Sequence, residues 1–194
     1  MGDALTRRPD TPLDAQEAAL LAQVAAGHRH AFDALFRAYH PRLLRFLDRM
    51  ARNPALAEEI VNDTLLVVWQ KAGTYDGSCK VSTWVFAIAW RKAMKALKMA
   101  DAPMESDSNA YADDEAVTPE RHAELHQLAT RLAAAVDLLP WQQKMVVVLT
   151  YFHGLGYAEI AAVAGCPVNT VKTRMFHARR RLQLLLADEK EDFA

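Results

Sequence analysis

The sequence predicts an all-α protein: two small helical domains joined by a flexible acidic linker. Three observations carry that reading. Ala and Leu dominate while 7 Gly and 8 Pro punctuate 194 residues, as expected of helices separated by short turns. Apolar residues recur at spacings of three and four, the period of a helix with one buried face. Charge is also segregated. Residues 1–100 hold 14 Lys and Arg against 10 Asp and Glu, residues 101–128 hold 1 against 8, and residues 129–194 hold 8 against 6. The formal net charge is only -1, so the acidic stretch offsets cations on either side of it.

Composition excludes several classes. The longest uncharged, mostly apolar run covers residues 81–90, about half of a bilayer span, so no membrane insertion is expected. The opening MGDALTRRPDTPLD lacks the apolar region of a signal peptide, so a cytoplasmic chain is expected. Cys79 and Cys166 stand far apart with no CxxC, too few for a disulfide scaffold or a zinc site of their own. No metal and no cofactor is expected.

Along the chain, the first domain occupies residues 15–99. On the stretch 58–69, Ile60, Thr64, Val67 and Val68 fall near one helical face. Glu59, Asn62, Asp63 and Leu66 point elsewhere and form a mixed acidic and apolar surface. On 81–98 the aromatics Trp84, Phe86 and Trp90 precede Arg91, Lys92, Lys95 and Lys98. Cations interleaved with aromatics suit a single nucleic-acid strand, although tryptophans taken alone read as core.

Residues 100–118, rich in Pro, Ser, Asn and Asp without apolar periodicity, read as the linker. Thr118 then caps a helix that Pro119 opens, and the second domain runs over 119–187. Its first helix, 123–139, presents Leu125, Leu128, Leu132, Ala135 and Leu139 as an apolar stripe. Pro140 breaks it, and residues 142–152 form the next.

The last two helices, 157–163 and 168–182, flank the turn Ala164-Gly165-Cys166-Pro167. Ile160 and Val163 face inward, and Ala161 leaves room for a crossing helix. Gly165 takes positive φ and Pro167 opens the next helix. On that helix Val168, Val171, Met175, Ala178 and Leu182 make a narrow apolar back. Lys172, Arg174, Arg179 and Arg181 flank it, while Asn169, Thr170, Thr173, Phe176, His177 and Arg180 face away. An apolar back, cationic shoulders and a hydrogen-bonding front make a helix-turn-helix that reads a DNA groove.

The run LLPWQQKMVVVLTYFHGLGYAEIAAVAGCPVNTVKTRMFHARRRL resembles region 4, the −35 reading domain of bacterial sigma-70 family factors, most of all the ECF (extracytoplasmic function) group. HRHAFDALFRAYHPRLLRFLDRM, AEEIVNDTLLVVWQKAGTYDG and VSTWVFAIAWRKAMKALK resemble successive segments of region 2. The likeness covers about residues 15–187, with both domains in family order.

It implies a dissociable initiation subunit and no enzyme. Glu59, Asn62, Asp63, Leu66 and Trp69 would dock on core RNA polymerase, on a coiled coil of its largest subunit, with the flap as a further contact. Tyr75, Ser78, Lys80, Trp84, Arg91, Lys92 and Lys95 would meet the −10 element, the loop over 75–81 capturing a flipped base. Asn169, Thr170, Thr173 and His177 would read −35 base edges, with Lys172, Arg174, Arg179 and Arg180 on phosphates. An anti-sigma factor that clamps the two domains is implied as well.

The sequence departs from the family at three places. Asn62-Asp63 replaces a Gln-Glu or Gln-Asp pair, and Trp90-Arg91 follow Ile88-Ala89 where Asn is frequent. His177 stands where Arg is common, so its contribution to −35 binding is expected to follow pH. The acidity of Asp113, Asp114 and Glu115 suggests RNA mimicry in the polymerase channel.

Two rivals remain in view. His122 and His126, at i and i+4, have a zinc-binding spacing, but Glu124 is two residues past the first His rather than next to it. A stand-alone helix-turn-helix regulator would bind duplex DNA without polymerase, often at palindromes.

Overall fold

The computed structural model describes residues 11–51, 53–99 and 119–191, the side chains of residues 98–99, 119–127 and 188–191 excepted. The expected linker, the Thr118 cap and the side chains of Lys98, Leu125, His122, Glu124 and His126 lie outside the described residues.

Eight α-helices are seen among the described residues: α1 (Pro12–Ala25), α2 (Arg29–Ala51), α3 (Pro54–Lys71), α4 (Val81–Met99), α5 (Pro119–Asp137), α6 (Trp141–Tyr151), α7 (Tyr157–Ala164) and α8 (Val168–Glu191). The all-α expectation holds. The sequence reading did not single out α1, although its start carries the same signal used for α5. Thr11 precedes Pro12, and its hydroxyl oxygen accepts the Asp14 N–H at 3.2 Å. Asn53 caps α3 in the same way, accepting from the Leu56 N–H at 3.1 Å with Pro54 in the first turn.

α1 to α4 pack around Leu21, Leu35, Tyr39, Leu43, Phe46, Val61, Leu65 and Phe86. One ionic group is held inside this half. The Tyr39 hydroxyl donates to Glu17 at 2.5 Å and Arg42 donates to its other oxygen at 3.3 Å. Burial and that carboxylate push the Tyr39 phenol well above its usual range. In the second half α6 is buried along Met145 to Leu149, and Ile160, Val163, Val171, Met175 and Ala178 close the core against it.

The halves are not separate bodies on a string. α7 lies on α4 and α6 reaches α2, so their apolar cores are continuous. His153, in the loop after α6, sits 4.7 Å from the Phe86 ring and 5.9 Å from Phe46. Trp141 covers Trp90 at 5.4 Å. The buried Lys144 ammonium pairs with Asp137 at 3.0 Å and reaches the Arg49 carbonyl, near the end of α2, at 3.4 Å.

Three expectations need correction. Leu128 and Leu132 are 57% and 42% exposed: among the described side chains of α5 the buried ones are Ala135 and Val136, near its C-terminal end, and Leu139 is buried just past it. Val168 is 38% exposed, lying at the first position of α8 beyond the edge of the core. Phe86 and Trp90 are buried, committed to the joint between the halves, so neither can stack on a strand in this form.

His153 generates a pH prediction. Burial, then the cations Arg42, Arg45 and Arg49, lower its pKa from 6.5 to about 4. The native protein therefore binds fewer protons here than the unfolded chain, whose His titrates at its ordinary value. The contribution of neutral His153 is complete above about pH 6.5 and is lost as pH falls through about 4. Thermal melts of the wild type and of His153→Phe between those pH values should show the wild type losing stability faster than the variant. Parallel profiles would contradict this.

Candidate nucleic-acid and polymerase interfaces

The helix-turn-helix is set by local geometry. Gly165 adopts φ 62, the left-handed conformation that lets α7 stop without a Cβ clash. The Cys166 N–H bonds back to the Ala161 carbonyl at 3.1 Å, and the Pro167 carbonyl accepts from Thr170 N–H at 2.9 Å to start α8. Val171, Met175 and Ala178 are buried and Leu182 is packed against them, which turns the opposite side of α8 outward.

Asn169, Lys172, Thr173, His177, Arg179 and Arg180 are exposed, and Thr170 and Arg174 are half-buried. All eight thus lie on the outer part of one helix. Some of their hydrogen-bonding capacity is already used. The Thr173 hydroxyl donates to the Asn169 carbonyl at 3.0 Å, and Arg174 reaches the Cys166 sulfur at 3.6 Å. Arg179 donates to the Tyr151 hydroxyl at 2.8 Å, which keeps its guanidinium above its ordinary pKa. A groove of about 480 Å³ separates the start of α6 from α8, lined by Trp141, Gln142, Gln143, Asn169, Thr170 and Thr173 among others. Sequence reasoning missed Tyr151 and the α6 wall, since nothing in the periodicity of α8 says what stands beside it.

In the first half, Glu59, Asn62, Asp63 and Leu66 are all exposed on α3, over a buried face made of Ile60, Val61, Thr64, Leu65 and Val68. Leu66 is 51% exposed, an aliphatic side chain left in water between acidic and polar neighbours. Trp69 is half-buried and rests edge-on against Phe32 at 5.2 Å, so only part of it can meet a partner.

The loop before α4 is held by its own bonds. The Ser78 N–H donates to Asp76 at 2.9 Å, Gly77 takes φ 73, and the Tyr75 hydroxyl donates to the Cys79 carbonyl. Tyr75 packs on Trp84 at 5.7 Å. Desolvation pushes its phenol up to about 12, so it remains a neutral donor. Ser78 is exposed and Trp84 half-buried.

The cations of this half divide. Arg91 and Lys95, both exposed, line a groove of about 450 Å³ between α4 and α7. Lys92 turns to α3 and pairs with Asp63 at 2.8 Å. Lys80 lies 3.6 Å from Asp14 and 3.5 Å from Glu159, a residue of the second half. The sequence showed these charges but not their partners. Among the described residues no cluster of three or more His, Cys, Asp or Glu is placed to hold a metal ion, and no helix is long and apolar enough to cross a membrane.

Comparison with known proteins matches residues 35–102 to the family described as Sigma-70 region 2 and residues 129–182 to Sigma-70, region 4. The ECF RNA polymerase sigma factor RpoE of Cereibacter sphaeroides is 32% identical over 79% of this chain and 84% of its own length. The ECF RNA polymerase sigma factor SigM of Mycobacterium tuberculosis is 32% identical over 88% of this chain and 84% of its own. Two solved structures share the fold. CnrH, in complex with the cytosolic domain of CnrY, has a TM-score of 0.67 at 24% identity, covering 89% of this chain and 98% of that one. The sigma factor RpoE of Bartonella quintana, in complex with the anti-sigma factor NepR, has a TM-score of 0.65 at 23% identity, covering 80% and 96%.

The neighbours Leu65 and Leu66 separate structure from surface. Leu65→Ala, in the core, should cost about 2–5 kcal/mol of unfolding free energy. Leu66→Ala should change it by less than about 0.5 kcal/mol. Denaturant unfolding of both variants checks this, and equal losses would make Leu66 a packing residue.

Proposed function

The chain belongs to the sigma-70 family of RNA polymerase sigma factors, in its ECF group, and from that premise we propose how its surfaces divide the work of initiation. The exposed face of α3, with Glu59, Asn62, Asp63, Leu66 and part of Trp69, docks on the coiled coil of the polymerase's largest subunit. Its carboxylates meet basic groups there, which favours fast and correctly oriented association. The second half takes the flap as its further contact.

The loop over residues 75–80, with Tyr75, Ser78 and Lys80, receives a base taken out of the stack. Trp84 and the cations Arg91, Lys92 and Lys95 follow the strand beside it. Holding a base outside the duplex converts binding energy into strand opening. α8 enters the −35 major groove, with Asn169, Thr170, Thr173 and His177 on base edges and Lys172, Arg174, Arg179 and Arg180 on phosphates. The chain carries out no reaction of its own; bond formation stays with the polymerase, in the cytoplasm. An anti-sigma partner, of the kind that binds the sigma factor RpoE of Bartonella quintana, holds the chain back until a signal arrives.

The observation that carries the reading is the pairing of two surfaces in one chain. An exposed acidic and apolar face of α3 stands beside α4 with its exposed Arg91 and Lys95 in the first half, and a helix-turn-helix with an outward polar front forms the second. A stand-alone regulator has use for the second surface but none for the first.

Run-off transcription with purified core polymerase on a promoter library should give transcripts only when this protein is added, sharing −35 and −10 motifs. Tight duplex binding by the protein alone, without transcripts, would favour the stand-alone regulator. Replacing Glu59, Asp63 and Leu66 together by Ala should lower core affinity at least about tenfold, as expected when a partner's charges lose their counterparts. Lys172→Ala should weaken duplex binding across sequences and flatten the salt dependence by about one unit of slope. A loss confined to one base position would contradict its phosphate role.

A further inference from the structure

The outward cations of α8 fall into two kinds. Lys172 and Arg180 are exposed and have no hydrogen-bond or ion-pair partner among the described residues. Arg179 is exposed as well, yet its Nη2 donates to the hydroxyl oxygen of Tyr151 at 2.8 Å. Tyr151 is the last residue of α6 and stands 28 positions earlier in the chain. The bond therefore ties the end of α6 to the flank of the reading helix.

The Tyr151 ring adds little to the core. It is 61% exposed and lies outside the apolar cluster that α6 enters with Met145 to Leu149. Packing gives no account of a large aromatic here, so the hydroxyl is the part to explain.

The sense of its bond is decisive. A guanidinium has donors and no acceptor, so the shared proton belongs to Arg179. The phenol proton of Tyr151 is uncommitted, and it has no acceptor among the described residues. Arg179 uses one N–H on Tyr151 and has no carboxylate partner among the described residues. Side by side, the pair offers an O–H donor, the remaining guanidinium donors and a permanent positive charge, with no acid to neutralise it. Such a donor set fits an anionic group with several oxygens, and a phosphodiester is that group on DNA.

We propose that Tyr151 and Arg179 form one phosphate seat in −35 binding: Tyr151 holds the guanidinium in place and donates its own hydroxyl proton to the phosphate that Arg179 neutralises. The inference rests on the assignment of the outer face of α8 to −35 DNA and adds to it a positioning residue on another helix.

Placement agrees. Lys172 and Arg179 are seven residues apart, so they share one shoulder of α8 and stand about 10 Å apart along its axis. A strand that passes Lys172 passes Arg179 next. The start of α6 shares a groove with Asn169, Thr173 and His177, while its end meets Arg179. α6 thus crosses α8 from the reading front to the cationic shoulder. Tyr157, which opens α7, is a second phenol bearing on the same guanidinium.

The bond also settles an entropic cost in advance. Lys172 and Arg180 must give up rotamer freedom when they reach a phosphate, whereas Arg179 has already given it up in the fold. Its planar fork is then presented in one orientation. Since phosphates carry no sequence information, the seat fixes how α8 lies in the groove and leaves base preference to Asn169, Thr170, Thr173 and His177.

The test uses the full chain with core polymerase, and promoter fragments carrying one methylphosphonate at a time along the −35 element. Each substitution removes one phosphate charge. Tyr151→Phe keeps the exposed ring and loses only the hydroxyl, so thermal stability should not change. It should lower promoter affinity about threefold to tenfold with the salt slope unchanged, because no charge is lost. Arg179→Ala should lower affinity and flatten the slope by about one unit. In wild type one methylphosphonate position should be costly, and both variants should become indifferent to that same position. Wild-type affinity in Tyr151→Phe overturns the proposal, as does a weaker variant that still feels that phosphate as wild type does. If Lys172→Ala and Arg179→Ala both bind as wild type, the DNA assignment of α8 fails and the seat fails with it.

Discussion

The edge-to-face pair of Phe46 and Phe86, 5.4 Å apart and both fully buried, is the joint on which the molecule depends. It ties α2 to α4, the helices that frame the first half. Arg42 reaches over Phe86 from the Glu17 network, which brings α1 to the same point. His153 and Trp90 also lie against Phe46, so the second half is seated here too. Replacing a phenylalanine in such a place removes about 3–5 kcal/mol, a large share of the stability of an ordinary domain. The first half's framework and the seat of the second half thus share this one cluster.

The turn before α8 was legible residue by residue. Gly165 must accept a left-handed backbone, Pro167 opens the next helix, and the spacing of Val171, Met175 and Ala178 chooses the buried side. The face of α3 was legible for the same reason: a period of 3.6 separates Ile60, Thr64 and Val68 from Glu59, Asn62 and Asp63. Such signals are local, and local geometry enforces them.

What the sequence left hidden is what lies across from each face. Leu128 and Leu132 have the spacing of a core stripe, yet both stay exposed. Phe86 and Trp90 precede a run of cations, a composition that suits strand stacking, but a second surface claims them first. The pairings of Lys92 with Asp63 and of Lys80 with Glu159 join residues 29 and 79 positions apart, and no periodicity reports a partner at that separation. α1 is a different case, because its Thr-Pro start was present and readable.

The seat of His153 has a consequence for descent as well as for stability. A recognition module that worked wholly on its own could be exchanged between related chains with only its reading face altered. Here the loop after α6 must also match an aromatic seat and an arginine-rich rim formed by α2 and α4. Hybrids that join the first half of this chain to the reading half of a relative will inherit a mismatched seam unless residue 153 travels with its host pocket. The exposed face of α8 is therefore free to vary, while exchange of the whole second half is limited at the loop that carries His153.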